Sequence, residues 1–190
     1  MRHSRRSLLM ALATAPHLRA AATGVRRDDG ILRVLPPADF HFLEGQTLRR
    51  LQDGAGLVFT MQVSVSNDQF RTITRRQVER FVISFDLWEE KFAAVRLGLV
   101  KYQQSHLTRD AAERFLFDHT GVSMYGLPAG ESHWIRAELR ADEPRDSAGF
   151  LLDPSVTLSR LVEWFGRSQR GEAMRWAIDR GPFRLHEVER

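Results

Sequence analysis

The chain has 190 residues, 43% of them apolar and 27% charged, which is enough for one domain with a real hydrophobic core. It has no cysteine, which excludes disulfides, thiolate metal sites, a cysteine nucleophile and covalent haem attachment. The formal charge of +4 is misleading. Arg2, Arg5, Arg6 and Arg19 fall in the first 22 residues with no acidic residue beside them, so 24 basic and 24 acidic side chains remain beyond that point. A body of zero net charge is a poor electrostatic partner for nucleic acid, and none is expected.

Residues 1–22 read as an export signal peptide. A basic start (Arg2, Arg5, Arg6) leads into the apolar stretch Leu8 to Ala15, and the small residues Ala20-Ala21-Ala22 suit a cleavage site. The run Ser4-Arg5-Arg6-Ser7-Leu8-Leu9 resembles a twin-arginine signal. The expected location is therefore periplasmic or secreted, in a bacterial envelope. No later run is apolar and long enough for a spanning helix, so no transmembrane segment is expected once the leader is removed.

Residues 23–30 read as a polar linker, and 31–190 as a single domain. Ile31 to Leu35 is a short strand ended by Pro36-Pro37. Asp53-Gly54 marks a turn before the clearest strand of the chain. There Leu57, Phe59, Met61, Val63 and Val65 alternate with Val58, Thr60, Gln62, Ser64 and Ser66, which predicts one buried and one solvated face. Ser66 to Gln69 is a turn. Further strands are predicted over Phe81–Leu87, Phe92–Val100 and His133–Ala141, with a last one at Ala173–Ile178 or Phe183–Val188. Two short helices interrupt them. Thr108 caps one over Arg109–His119, with Ala112, Phe115 and Leu116 on one face, and Asp153-Pro154 opens another carrying Leu158, Leu161, Val162 and Phe165. The expected fold is mainly β, an antiparallel β-sandwich of immunoglobulin-like shape with two short α-helices.

No motif specifies a reaction. Gly121-Val122-Ser123-Met124-Tyr125-Gly126 is one residue too long for a serine-hydrolase elbow, and Gly54 and Gly56 do not extend into a phosphate-binding loop. The histidines beyond the leader, His41, His106, His119, His133 and His186, form no His-x-His or His-x-x-x-His pair, so ordinary structural roles and no metal are expected. No catalytic residue and no cofactor is assigned. Two segments remain as a candidate partner surface. One is Asp86-Leu87-Trp88-Glu89-Glu90, where a charged hairpin tip carries a tryptophan of the type enriched at binding hot spots, turned inward if Glu89 forms a bulge. The other is the basic stretch Arg71, Arg75, Arg76 and Arg80, read as lying between two strands.

Leu48, Leu51, Gly54 and Phe59, the run Arg80-Phe81-Val82-Ile83-Ser84-Phe85-Asp86-Leu87-Trp88, Leu127-Pro128 and Gly181-Pro182-Phe183 together resemble exported bacterial proteins catalogued only as a domain of unknown function. The resemblance implies a secreted sandwich fold and supplies no catalytic residues. The expectation is an exported, non-enzymatic accessory or binding module whose partner is another envelope protein, built around Trp88, Asp86, Arg75 and Arg76. The alternative is a periplasmic hydrolase or metal-dependent enzyme using Asp86, Glu89, Glu90 and a distant histidine.

Overall fold

The computed structural model describes residues 24–54, 56–100, 102–142 and 174–188. The leader and the helix expected from Asp153-Pro154 lie outside the described residues. The first described element lies inside the segment read as a linker, 23–30. Val25–Asp28 (β1) pairs antiparallel with Ile31–Val34 (β2) through a two-residue turn. Asp29 and Gly30 both have positive φ, 47° and 74°. This is the primed turn whose twist matches a hairpin, and Asp-Gly is its preferred sequence.

The Gly45–Gln52 helix (α1) follows, burying Thr47 and Leu51 and setting Leu48 against the core. Gly54, at φ 83°, turns the chain after it. Leu57–Ser66 (β3), Arg75–Asp86 (β4), Lys91–Leu97 (β5) and Tyr102–Leu107 (β6) then form a meander. The Arg109–Asp118 helix (α2) is capped by Thr108, whose hydroxyl accepts from the Ala111 amide at 3.3 Å. Val122–Ser123 (β7), His133–Asp142 (β8) and Met174–Phe183 (β9) complete the strands.

Among the described residues the result is a mainly β fold of two antiparallel sheets with two α-helices, consistent with the expected sandwich; α2 is the expected helix after Thr108, whereas α1 is not among the expected elements. One sheet has three strands in the order β1-β2-β7, and the other has six in the order β6-β5-β4-β3-β8-β9. This six-plus-three meander differs from the four-plus-three strand division of an immunoglobulin domain, so the immunoglobulin-like part of the expectation is not reproduced. The small sheet and α2 form the second layer, on the apolar face of the large sheet. Leu32, Val34 and Val122 meet Phe59, Met61 and Phe81 in one core with Phe115 and Leu116 of α2. Phe42, from the loop before α1, packs on Phe59 at 5.2 Å and on Trp176 at 5.8 Å between ring centroids. Gly121 permits the close approach of β7 to β2, because a Cβ there would lie 2.8 Å from the Leu32 carbonyl oxygen.

Register carries a correction. β3 is central, flanked by β4 and β8, and all ten of its residues are buried. The apolar set Leu57 to Val65 faces the core as expected, but Val58, Thr60, Gln62, Ser64 and Ser66 are buried as well. Opposite Thr60 stand Arg80 and Arg140, and opposite Ser64 stand Arg76 and Arg136. Long arginine stems laid beside short polar side chains shield that face.

Candidate functional site

The residues expected to form a partner surface lie along β4 and in the turn that follows it, not in one place. Asp86 ends β4 and Arg75 begins it, a separation of roughly 36 Å for an extended strand. Arg75 and Arg76 are within β4, paired with Val65 and Ser64 of β3, not in a loop between strands. The Arg75 guanidinium donates to the carbonyls of Thr74 and Tyr125, at 3.0 and 3.2 Å. Arg76 is half-buried on the polar face of the sheet. Arg80, further along β4, is held below its ordinary pKa by burial.

At the other end, Leu87–Glu90 forms the β4–β5 turn. One Asp86 carboxylate oxygen accepts from the amides of Trp88 and Glu89, at 2.8 and 3.1 Å, and Glu90 takes a left-handed conformation at φ 53°. Asp86 is thus occupied in shaping the tip. That tip turns Trp88 outward, where 97% of it is exposed, and no bulge at Glu89 returns it to the core. His106, from β6, reaches Glu89 with Nδ1 at 2.6 Å from a carboxylate oxygen. The distant histidine of the enzymatic alternative therefore exists, but the pair is more than half exposed on both sides. An exposed pair sits in high dielectric and lacks the dry surroundings that acid–base chemistry draws on.

The tip belongs to a larger surface. Among the described residues seven large apolar side chains are exposed: Leu35, Leu87, Trp88, Leu99, Val100, Tyr102 and Tyr125. Leu87 and Trp88 lie in the β4–β5 turn at one end of β5, and Leu99, Val100 and Tyr102 lie at the β5–β6 turn at its other end, roughly 25 Å away along an extended strand. β6 is the outermost strand, its first five residues are exposed, and Tyr-Gln-Gln-Ser-His-Leu carries no Lys, Arg, Asp, Glu or Pro to deter pairing. Among the described residues it is interrupted by a bulge opposite Phe92–Ala94, with His106 at φ 57°. Sequence reading missed β6 because its central residues, Gln103 to His106, are polar and show no alternation.

A second constellation is centred on α2. Glu113, in the first half of α2, is 95% buried. Its Oε1 accepts from the backbone amides of Phe42 and Leu43, both at 2.8 Å, and its Oε2 lies 2.8 Å from Nδ1 of His41. A buried carboxylate must be compensated, and here two backbone amides of one loop do so, with the His41 imidazole beside the second oxygen. Asp110 stands one turn earlier on α2, three residues from Glu113 and so on the same side of the helix. Its carboxylate, that of Glu113 and the His41 imidazole place ligand atoms within 4.8 Å of one another. Together with Pro36, Pro37, Phe40, Arg114 and Phe117 they line a cavity of about 270 Å³. Two other histidines bond backbone carbonyls, and His186 is exposed. His119 Nδ1 meets the Phe115 carbonyl at 2.8 Å, and the buried His133 meets that of Pro128 at 2.9 Å. Ser123, of the rejected elbow, lies in β7 and accepts from the Tyr125 amide at 3.2 Å.

Comparison of this chain with protein-family models, with curated proteins and with solved structures finds no match. Among the described residues no helix is long and apolar enough to cross a membrane.

Proposed function

We propose that this chain is an exported, non-enzymatic envelope protein that binds an extended segment of another envelope protein along the β6 edge of its large sheet. The observation that carries the reading is one outermost strand with no Lys, Arg, Asp or Glu, flanked by exposed apolar side chains at each end, Leu87 and Trp88 at one and Leu99, Val100 and Tyr102 at the other. Strand addition uses such an edge. Backbone hydrogen bonds from β6 would supply affinity, and the apolar side chains at the two tips would select the partner's residues. Trp88 is the anchor of this surface; Asp86 holds the turn that presents it. Arg75 and Arg76, at the far end of β4, stand outside it. The basic, apolar and small-residue parts of residues 1–22 support export, and the twin-arginine-like run suggests the route by which a folded chain would travel.

The test is native mass spectrometry of the full chain, expressed with its own leader and isolated gently from the envelope. The expected species has lost about 22 residues and carries a second polypeptide. That polypeptide should disappear when Gln103→Pro blocks the edge or when Trp88→Ala removes the anchor. An uncleaved chain confined to the cytosol would sink the export part of the reading. A partner retained by both variants would remove β6 as the surface.

A further inference from the structure

We propose that His41, Asp110 and Glu113 form a binding site for one divalent transition-metal ion, with Zn²⁺ as its representative. The set is mixed: one imidazole nitrogen and two carboxylates, drawn from a loop and a helix about 70 residues apart in sequence. An imidazole donor favours zinc and its neighbours over Mg²⁺ and Ca²⁺, which prefer oxygen alone.

Three features go beyond what a structural ion pair needs. First, Glu113 is already immobilised: two backbone amides hold Oε1, leaving Oε2 directed at His41. A ligand fixed in this way is the preorganised arrangement metal sites use. Second, Asp110 has no part in holding the 41–43 loop. Its nearest partner is Arg109, its own neighbour, with a nitrogen 3.5 Å away, yet its carboxylate comes within 4.8 Å of both other groups. Third, the three line an open cavity of about 270 Å³, room for an ion and several waters. The His41–Glu113 separation of 2.8 Å is close to the ~3.0–3.4 Å expected between adjacent ligands on an ion with bonds of about 2.0–2.1 Å. Admitting the ion opens the His41–Glu113 pair by a few tenths of an ångström and brings in the exposed Asp110 carboxylate, whose ligand atom lies within 4.8 Å of the other two, by a side-chain rotation.

The charge balance is consistent with a weak to moderate site. With His41 neutral, Asp110, Glu113 and the Arg114 that shares the lining sum to −1, and a divalent ion carries this to +1. Arg114 opposes the ion, and three protein ligands leave at least one position open to water or to an anion.

Isothermal titration of the full chain with ZnCl₂, and separately with MgCl₂, tests the proposal. One Zn²⁺ per chain should bind and raise the thermal midpoint, while Mg²⁺ should do neither. His41→Ala and Asp110→Asn should each weaken Zn²⁺ binding at least ~10-fold, the scale on which losing a supporting group is felt. Arg114→Gln should tighten it. Asp110 is exposed, so Asp110→Asn should leave the metal-free thermal midpoint unchanged and reads ion binding apart from folding. Glu113 is avoided because the fold depends on it. No stoichiometric Zn²⁺ binding would overturn the proposal. So would binding that survives either His41→Ala or Asp110→Asn undiminished, since the site would then lie elsewhere.

Discussion

Two groups of carboxylates face very different fates in this molecule. Asp86, Glu89 and Glu90 crowd five positions of sequence and end on an exposed turn, where Asp86 shapes the backbone and Glu89 meets His106 in open solvent. Glu113 and Asp110 look unremarkable in a helix of mixed composition, yet Glu113 is buried against two amide donors and an imidazole from a loop about 70 residues earlier. Local density measures how strongly charges repel and stay solvated. Convergence from distant elements is what removes water and fixes geometry.

The contrast can be broken by substitution. Glu113→Ala should have the largest effect, about 3 kcal/mol or more, because it leaves two buried amides without an acceptor and opens a void under the loop. In a domain of this size that lowers the thermal midpoint by roughly 6–12 °C. If Glu113→Ala unfolds at the wild-type temperature, the loop is held by something else. His41→Ala comes next, at about 1 kcal/mol, because the Glu113 carboxylate keeps its two amide donors; urea denaturation would measure it. Asp86→Ala should cost a similar or smaller amount, up to ~1 kcal/mol, by freeing the Trp88 and Glu89 amides to solvent. Glu89→Gln should change stability by less than ~0.5 kcal/mol, since its histidine pair is exposed and screened. Equal losses at Glu89 and Glu113 would erase the distinction.

Asp68 sharpens the comparison from between these extremes. It is solvent-accessible, yet the Ser66 hydroxyl donates to it at 2.6 Å and the Thr72 amide at 2.8 Å, in the turn after β3. Those bonds, the Ser66 one foremost, bring its pKa from 3.8 down to about 2. Because the folded value is the lower one, the turn's contribution is fully present above the unfolded pKa near 3.8. It is lost as pH falls through about 2. Carboxyl chemical shifts followed from pH 5 to 1 should show this midpoint, and a midpoint near 3.8 would mean the turn is open.

The sequence carried whatever depends on neighbours along the chain. Alternation in Leu57–Ser66 placed the strand and its core face, Thr108 announced its helix by its capping oxygen, and Asp53-Gly54 marked a turn. Asp29-Gly30 also carried a hairpin signal, obscured by the charges around it, and Leu48 and Leu51 marked the buried side of α1 at helical spacing. The polar β6 carried no periodicity from which to infer it. Tertiary structure alone decided the rest. Whether Thr60 and Ser64 meet water depends on which strands flank them, and whether Trp88 points out depends on a four-residue turn. The meeting of His41 with Glu113 depends on how a loop crosses a helix, so no local spacing encodes it. Periodicity reports which face of an element is apolar; it does not report what that face, or the other, will be packed against.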